Sequence, residues 1–266
     1  MFHKKKYTLA NKLVLVTGAS SGIGATTAKA FAKQGTRLAL TARNKEKLDA
    51  VKNEICAEGG KVEIFPFDLD KIEHISELIE QIEEHFQDTV DVLVNSAGIA
   101  VLGLVENVPL GAYRQNLQIN FFASFGLIQA VLPGMKKKRS GQIINLFSGV
   151  GKRGLPGVSS YCVSKFALNG LTESLRVEVL PYNVDVILFS PGLVQTGFGK
   201  KLKLYGRLKE TFTTGNAVTA EFTAKKIVEA SLRRKRDVVL SLKTRVAIHL
   251  NYWFPALSDK ILARKL

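Results

Sequence analysis

Cysteine is scarce in this 266-residue chain, and the two that occur, Cys56 and Cys162, have neither a second cysteine nearby nor a partner at metal-ligand spacing. That argues against a disulfide framework and a cysteine-built metal centre, and it suits a reducing compartment; a cytoplasmic location is expected. No apolar run approaches eighteen residues, so nothing reads as a transmembrane helix. The stretch "MFHKKKYTLANK" is basic but lacks the apolar stretch of a secretory signal. Internal repeats and low-complexity linkers are missing too. One domain is expected, with 46% apolar and 23% charged residues giving the composition of a folded globular protein.

Acidic residues run short at the two ends. Residues 1–12 carry four lysines and no acid, residues 200–266 carry sixteen Lys or Arg against five Asp or Glu, and residues 13–199 carry eighteen of each sign. The formal charge of +15 therefore sits entirely in the ends, which predicts that they work differently from the middle.

What is present is a βα rhythm. "KLVLVTG" reads as a buried strand, Ile23 to Gln34 as a helix, Gly35 as its C-cap and "RLALTA" as the next strand. "KVEIFPF", "VDVLVNSAG", "GQIINLFS", "VDVILFSPG" and "DVVLS" continue the strands, with helices over 71–87, 110–135, 159–180 and 219–234. Such alternation predicts an α/β fold: a doubly wound, Rossmann-type parallel sheet of about seven strands, helices on both faces, binding ligands beyond the carboxyl ends of its strands. Residues 1–10 read as a basic arm, 11–240 as the domain, 193–218 as a lid over the pocket and 241–266 as a basic helical extension.

Two motifs carry chemistry. In "TGASSGIG", residues 17–24, Gly18, Gly22 and Gly24 lie between a strand and a helix. Glycines there let the backbone turn tightly and approach a pyrophosphate, whose charge the helix N-terminus favours. The spacing is G-x-x-x-G-x-G rather than the commoner G-x-G-x-x-G. In "YCVSK", Tyr161 and Lys165 stand four residues apart on one helix face. A fixed ammonium there stabilises the phenolate, so the expectation is a lowered Tyr161 pKa and a tyrosine able to exchange protons near neutrality. No metal site is expected.

With these two motifs the chain resembles the short-chain dehydrogenase/reductase family over roughly residues 10–240, in the branch with a T-G-x-x-x-G-x-G loop and a Y-x-x-x-K active site. The resemblance implies an oxidoreductase moving a hydride between nicotinamide and a carbonyl or secondary alcohol. It implies Asn120, Ser148, Tyr161 and Lys165 as the catalytic set: Tyr161 as acid or base, Ser148 orienting the substrate oxygen, Lys165 holding the cofactor ribose, Asn120 positioning a relay water. It also implies cofactor contacts from Gly18, Ser20, Ser21, Gly22, Ile23 and Gly24, from Asp68 and Leu69, from Asn95, Ala97 and Gly98, from Tyr161 and Lys165, and from Pro191, Gly192, Val194 and Thr196. Ser96 departs from the usual N-N-A-G. Relatives are commonly dimers or tetramers, so a homo-oligomer is expected.

The second strand ends "LTARN", where Ala42 supplies no acid and Arg43 offers donors suited to a 2′-phosphate. NADP(H) is therefore favoured, with NAD(H) as the alternative; Ser21 lacks the second basic charge some NADPH-preferring relatives carry. Apolar positions around the expected pocket (Val101, Leu102, Leu104, Val150, Leu155, Val158, Phe198, Leu202) favour a hydrophobic alcohol or carbonyl as substrate. In the tail, Val246, Leu250, Trp253, Leu257 and Ile261 form an apolar stripe among basic residues, and Pro255 is expected to divide it into two helices. The stripe either packs on the subunit or its dimer partner, or lies on an anionic membrane surface as a peripheral contact. The rival functional readings are a nucleotide-sensing protein without turnover and a nucleic-acid binder. An intact Ser148, Tyr161 and Lys165 argues against the first, and the lack of a recognised module or interleaved aromatics argues against the second.

Overall fold

β1 (Leu13–Thr17) is buried along its whole length, as an apolar run enclosed on both faces of a parallel sheet must be. The computed structural model of the chain describes residues 7–198, 202–206 and 217–264. It continues with β2 (Arg37–Ala42), β3 (Lys61–Pro66), β4 (Val92–Asn95), β5 (Val101–Leu102), β6 (Gly141–Leu146), β7 (Val184–Ser190), β8 (Val194–Gln195), β9 (Lys203–Leu204), β10 (Val218–Thr219) and β11 (Asp237–Val239). Seven of these form one sheet in the order β11-β7-β6-β4-β1-β2-β3, every neighbour parallel. Strand order reverses between β1 and β4, where Leu15 pairs with Leu93. The crevice of such a sheet opens at the carboxyl ends of those two strands.

Side chains alternate across the sheet, and β1 shows the consequence. Val14 and Val16 join a core with Ala28, Phe31, Leu48 and Ile227, from α1 (Gly22–Ala32), α2 (Lys45–Ala57) and, later in the chain, α7 (Ala220–Leu232). Leu13 and Leu15 join a second core with Leu78, Leu127 and Leu175, from α3 (Ile75–Phe86), α5 (Ala123–Lys138) and α6 (Ser159–Val179). A strand with two apolar faces needs both layers, which is the doubly wound arrangement. α1 ends at Ala32 with Lys33 as its cap, and Gly35 lies two residues beyond the cap at φ 71°, its N–H closing on the Ala32 carbonyl.

α4 (Leu110–Leu117) runs through a π-turn at Gln118–Phe122 into α5. The combined helix, Leu110–Lys138, is long and apolar enough to cross a membrane by length and composition, although no unbroken apolar run marks it in the sequence. Part of its apolar content is core, with Leu127, Ile128, Val131 and Met135 buried beneath the sheet, while Leu110, Phe122 and Phe125 are exposed.

Parts of the expected lid are tied down. β8 pairs with β10 and β9 with β5, while residues 199–201 and 207–216 lie outside the described residues. Within the expected basic arm, Tyr7 and Leu9 are buried in the first core, the Tyr7 N–H bonding Leu232 O at 2.9 Å; residues 1–6 lie outside the described set. The tail forms α8 (Leu242–Trp253), capped by Ser241, and α9 (Pro255–Ala263).

Asp91, just before β4, is buried and accepts from the Leu13 N–H at 2.9 Å while pairing with Lys12 at 3.0 Å and Lys138 at 3.4 Å. It staples β1 to β4 at the end away from the crevice. Asp91→Ala leaves a buried amide without its partner, a cost of about 1–3 kcal/mol, while the lysines regain water. The expected readout is a lower urea midpoint with an unchanged denaturant slope.

Candidate active site

The turn after β1 leaves no room for side chains. Gly18 has φ +64°, and a Cβ on it would stand 2.9 Å from the Ala97 Cα. One on Gly24 would stand 2.4 Å from Gly18 O, and one on Gly22, at φ +55°, would meet Thr196 at 3.4 Å. The glycine turn thus touches the loop after β4 and the segment after β7. Thr17 ties the first of these down: its Oγ1 accepts from the Ser96 and Ala97 N–H groups at 2.9 and 3.0 Å and donates to Val94 O. Ser20 and Ile23 are partly buried beside the turn and Ser21 is exposed at the start of α1. Pro191 is buried, and Gly192, at φ +76°, lies against Ser241. Val194 lies in β8.

Ser148 follows β6, and its hydroxyl lies near enough to the Tyr161 phenol to oppose the effect of burial on it. One turn on, Lys165 is 5% exposed, its Nζ 5.6 Å from the centre of the Tyr161 ring and 2.9 Å from Leu146 O, to which it donates. No carboxylate shares the pocket with it, so burial pulls the ammonium down to about 8. Burial likewise pushes the Tyr161 phenol up to about 12, the nearby Ser148 hydroxyl working against it. This corrects the expectation of an acidified tyrosine: in the protein alone desolvation outweighs the neighbouring cation. The Phe198 ring lies 6.5 Å from that of Tyr161.

Asn120 occupies the π-turn and is fully buried. Its Oδ1 accepts from the Ile99 N–H at 2.8 Å, and its Nδ2 has Ile99 O, Asn116 Oδ1 and Ser164 Oγ within 3.0 Å. Ser164 in turn donates to Tyr161 O. The side chain is spent on protein contacts, bracing the loop after β4 against α6, so a relay water at Asn120 would be met by its main chain. Gly98 abuts it, a Cβ there falling 3.2 Å from Asn120 Oδ1.

Other expected residues stand apart. Arg43 is exposed at the end of β2 with no hydrogen-bond or ion-pair partner among the described residues. Asp68 accepts from the Asp70 N–H, a turn-forming contact. The Leu69 side chain is buried in the second core, so any cofactor contact from that position would be a main-chain one. Val101 and Val158 are buried too, Val101 in a small cluster with Val108 and Ala112, so neither lines an open pocket.

Sequence reasoning missed a buried polar chain. Asn95 Nδ2 donates to Asn145 Oδ1, and Asn145 Nδ2 to Thr172 Oγ1, each at 2.9 Å, linking β4, β6 and α6. The signal was Asn145 itself, an amide inside the apolar strand "GQIINL". Asn95 Oδ1 and Ser190 Oγ, both at the crevice ends of their strands, are buried without a hydrogen-bond partner among the described residues.

A glycine turn thus follows β1 at the strand-order reversal, and Ser148, Tyr161 and Lys165 lie together between the end of β6 and the first turns of α6. In comparison with known proteins, the family model described as short chain dehydrogenase matches residues 12–204. A Drosophila melanogaster protein named dehydrogenase/reductase SDR family protein 7-like is 31% identical over 275 residues, covering 98% of this chain and 82% of that protein. Among solved structures, a short-chain dehydrogenase from Streptomyces avermitilis superposes with a TM-score of 0.83 at 27% identity, covering 96% of this chain and 98% of that one. An alcohol dehydrogenase from the archaeon Thermococcus sibiricus, complexed with 5-hydroxy-NADP, gives 0.76 at 27% identity over 86% and 95% of the two chains. This chain belongs to the short-chain dehydrogenase/reductase family of oxidoreductases.

The depressed Lys165 pKa is a stability statement. Between about 8 and 10.5 the unfolded chain holds a proton that the folded one has released, so stability rises with pH through that window and the cost of burying the charge is fully present below it. Lys165→Met should therefore be more stable than the parent at pH 7, on the order of 2 kcal/mol. That gain should shrink as thermal melts are repeated from pH 8 to 10.

Proposed function

We propose that this protein is an NADP(H)-dependent oxidoreductase interconverting a hydrophobic carbonyl compound and its secondary alcohol. The observation that carries the reading is Tyr161 with the Ser148 hydroxyl near its phenol and the buried Lys165 Nζ 5.6 Å from its ring centre, in a fold whose glycine turn follows the strand at the order reversal. The residues fit a dinucleotide: Gly18 and Gly24 pack too closely on backbone for any side chain there, which leaves the turn's main chain and the α1 N-terminus to meet a pyrophosphate, and Asn95 Oδ1 and Ser190 Oγ are buried polar atoms without partners among the described residues. Gly18 to Gly24 would hold the pyrophosphate, and Arg43, free at the end of β2, a 2′-phosphate. A nicotinamide cofactor bound there supplies or accepts the hydride.

The chain's own part is to hold substrate and move one proton. With its phenol held high by burial, Tyr161 is protonated throughout the neutral range and is poised at Oη as the acid for a carbonyl oxygen in the reducing direction. Ser148 reaches the same phenol and would share the substrate oxygen with it, fixing the carbonyl's orientation. Lys165, donating to Leu146 O, is held beneath the Tyr161 ring so that its charge stays fixed while the proton moves. Asn120 acts by position, bracing the loop after β4 against the α6 turn that carries Tyr161. Phe198 beside Tyr161 supports an apolar substrate. Exposed Phe122 and Phe125 on the π-turn and α5, and Val163 and Phe166 on α6, support self-association.

Two substitutions test this reading. Tyr161→Phe should fold and bind NADPH as the parent does while losing at least about 100-fold in turnover, the usual yield of a positioned acid, followed by NADPH absorbance over a panel of ketones and aldehydes. Near-parental rates would remove Tyr161 from the mechanism, and nucleotide binding without turnover across the panel would favour a sensor. Arg43→Asp should raise the Kd for NADPH and leave NADH binding equal or tighter; a parent with equal affinity for both would overturn the NADP(H) assignment.

A further inference from the structure

α8 has no buried residue, yet it carries large apolar side chains. Leu242, Val246 and Trp253 are 66%, 58% and 70% exposed, with Tyr252 at 75%, and on α9 Leu257 and Ile261 are 49% and 40% exposed. Of the two fates expected for the stripe, packing on its own subunit is not what the fold shows, Leu250 alone among its residues being partly covered. An exposed apolar patch of this kind marks a contact with something outside the subunit.

Beside the stripe lies a cavity of 450 Å³ between the loop after β6, the residues before β11 and α8. Lys152, Lys235, Arg245 and His249 line it. Asp237 is the acid in the lining, and it pairs with Arg176 at 3.1 Å and Arg236 at 3.3 Å. The side chains of Lys152, Lys235 and Arg245 make no hydrogen bond or ion pair among the described residues, Glu229 being within electrostatic reach of Lys235 only. At 100° per residue, Leu242, Val246 and Trp253 share one face of α8, and Arg245 and His249 lie roughly 60° round from it. One helix thus presents an apolar strip and, along its edge, an unpaired cationic hollow.

We propose that α8 and α9 dock this subunit on an anionic phospholipid surface, the apolar stripe entering the acyl boundary and the basic hollow taking a headgroup phosphate. The charge distribution selects this occupant. A second copy meeting the face through a two-fold axis would set Lys243, Arg245, Lys260 and Arg264 against themselves. An anionic surface meets the same residues with opposite charge, and residues 200–266 carry a net +11 for it to attract. Docking does not depend on the redox chemistry. Its consequence does concern the site: Lys152 lies four residues beyond Ser148, and a Cβ on Gly149 would strike Thr244 of α8, so the docked face borders the substrate loop.

The test is flotation of the whole chain with two kinds of vesicle, pure phosphatidylcholine and phosphatidylcholine with about one-third phosphatidylserine. The parent should float with the second and at least about tenfold less with the first. Lys235→Glu/Arg245→Glu and, separately, Trp253→Ser/Leu257→Ser should each lose that binding while melting as the parent does, since all four side chains are solvent-exposed. Replacing chloride by inorganic phosphate at matched ionic strength should leave flotation unchanged. The proposal is overturned if the parent ignores both vesicles, or if charge reversal leaves binding intact. It is equally overturned if inorganic phosphate alone stabilises the protein and abolishes flotation, or if Trp253→Ser/Leu257→Ser converts a dimer to a monomer with vesicles never bound.

Discussion

The carbonyl of Gly18 sits where a Cβ on Gly24 would have to be, and Gly18 itself is pressed against the Ala97 backbone. That double contact brings the first turn of α1 down onto β1 and draws in the loop after β4, so it fixes the width of the crevice at the strand-order reversal. Thr17 reinforces it by capturing two successive amides of that loop. An alanine methyl at Gly24 meets backbone atoms, which cannot rotate away, so the turn has one solution and the crevice inherits it.

Around this turn the protein places polar groups where the sheet would otherwise be apolar. Asn95, Asn145 and Thr172 form a chain through the interior, and Asn120 sits in a π-turn that interrupts a long core helix. Each buried amide is expensive unless its partners are in place, and a satisfied network admits a single register between its strands and helices. The effect is to set α6 relative to β4 and β6, and α6 is the element that carries Tyr161 and Lys165. π-turns recur at functional positions because the extra residue re-aims a side chain. Here it aims Asn120 at the Ile99 backbone.

The sheet was readable because its strands are continuous apolar runs between helices of clear amphipathic period; Ile75, Leu78, Ile79 and Ile82 all fall on the buried face of α3. Tyr161 and Lys165 were readable for the related reason that four residues on a helix close one turn. Their energetics were not. The spacing gives proximity, but whether a cation lowers a phenol's pKa depends on how much water both keep, and with Lys165 5% exposed the desolvation prevails. For Asn120 and Leu69 a motif position fixes the residue and leaves the direction of its side chain to the packing. Arg43 lies where the strand end predicted, with no internal partner to explain it.

The tail connects these threads. The family match ends at residue 204, yet the turn into α8 reaches the site from both sides: Ser241 stands against Gly192 after β7, and Thr244 stands against Gly149 just after Ser148. Both contacts fall on glycines, so the tail lies closer to the two loops than any other residue there would permit. A force on α8 or α9 is therefore felt at the segments that shape the substrate pocket, and Arg153, paired with Asp259 of α9, adds a third connection from the same loop. The loops flanking Tyr161 thus acquire from α8 and α9 contacts that the matched segment, residues 12–204, does not itself provide.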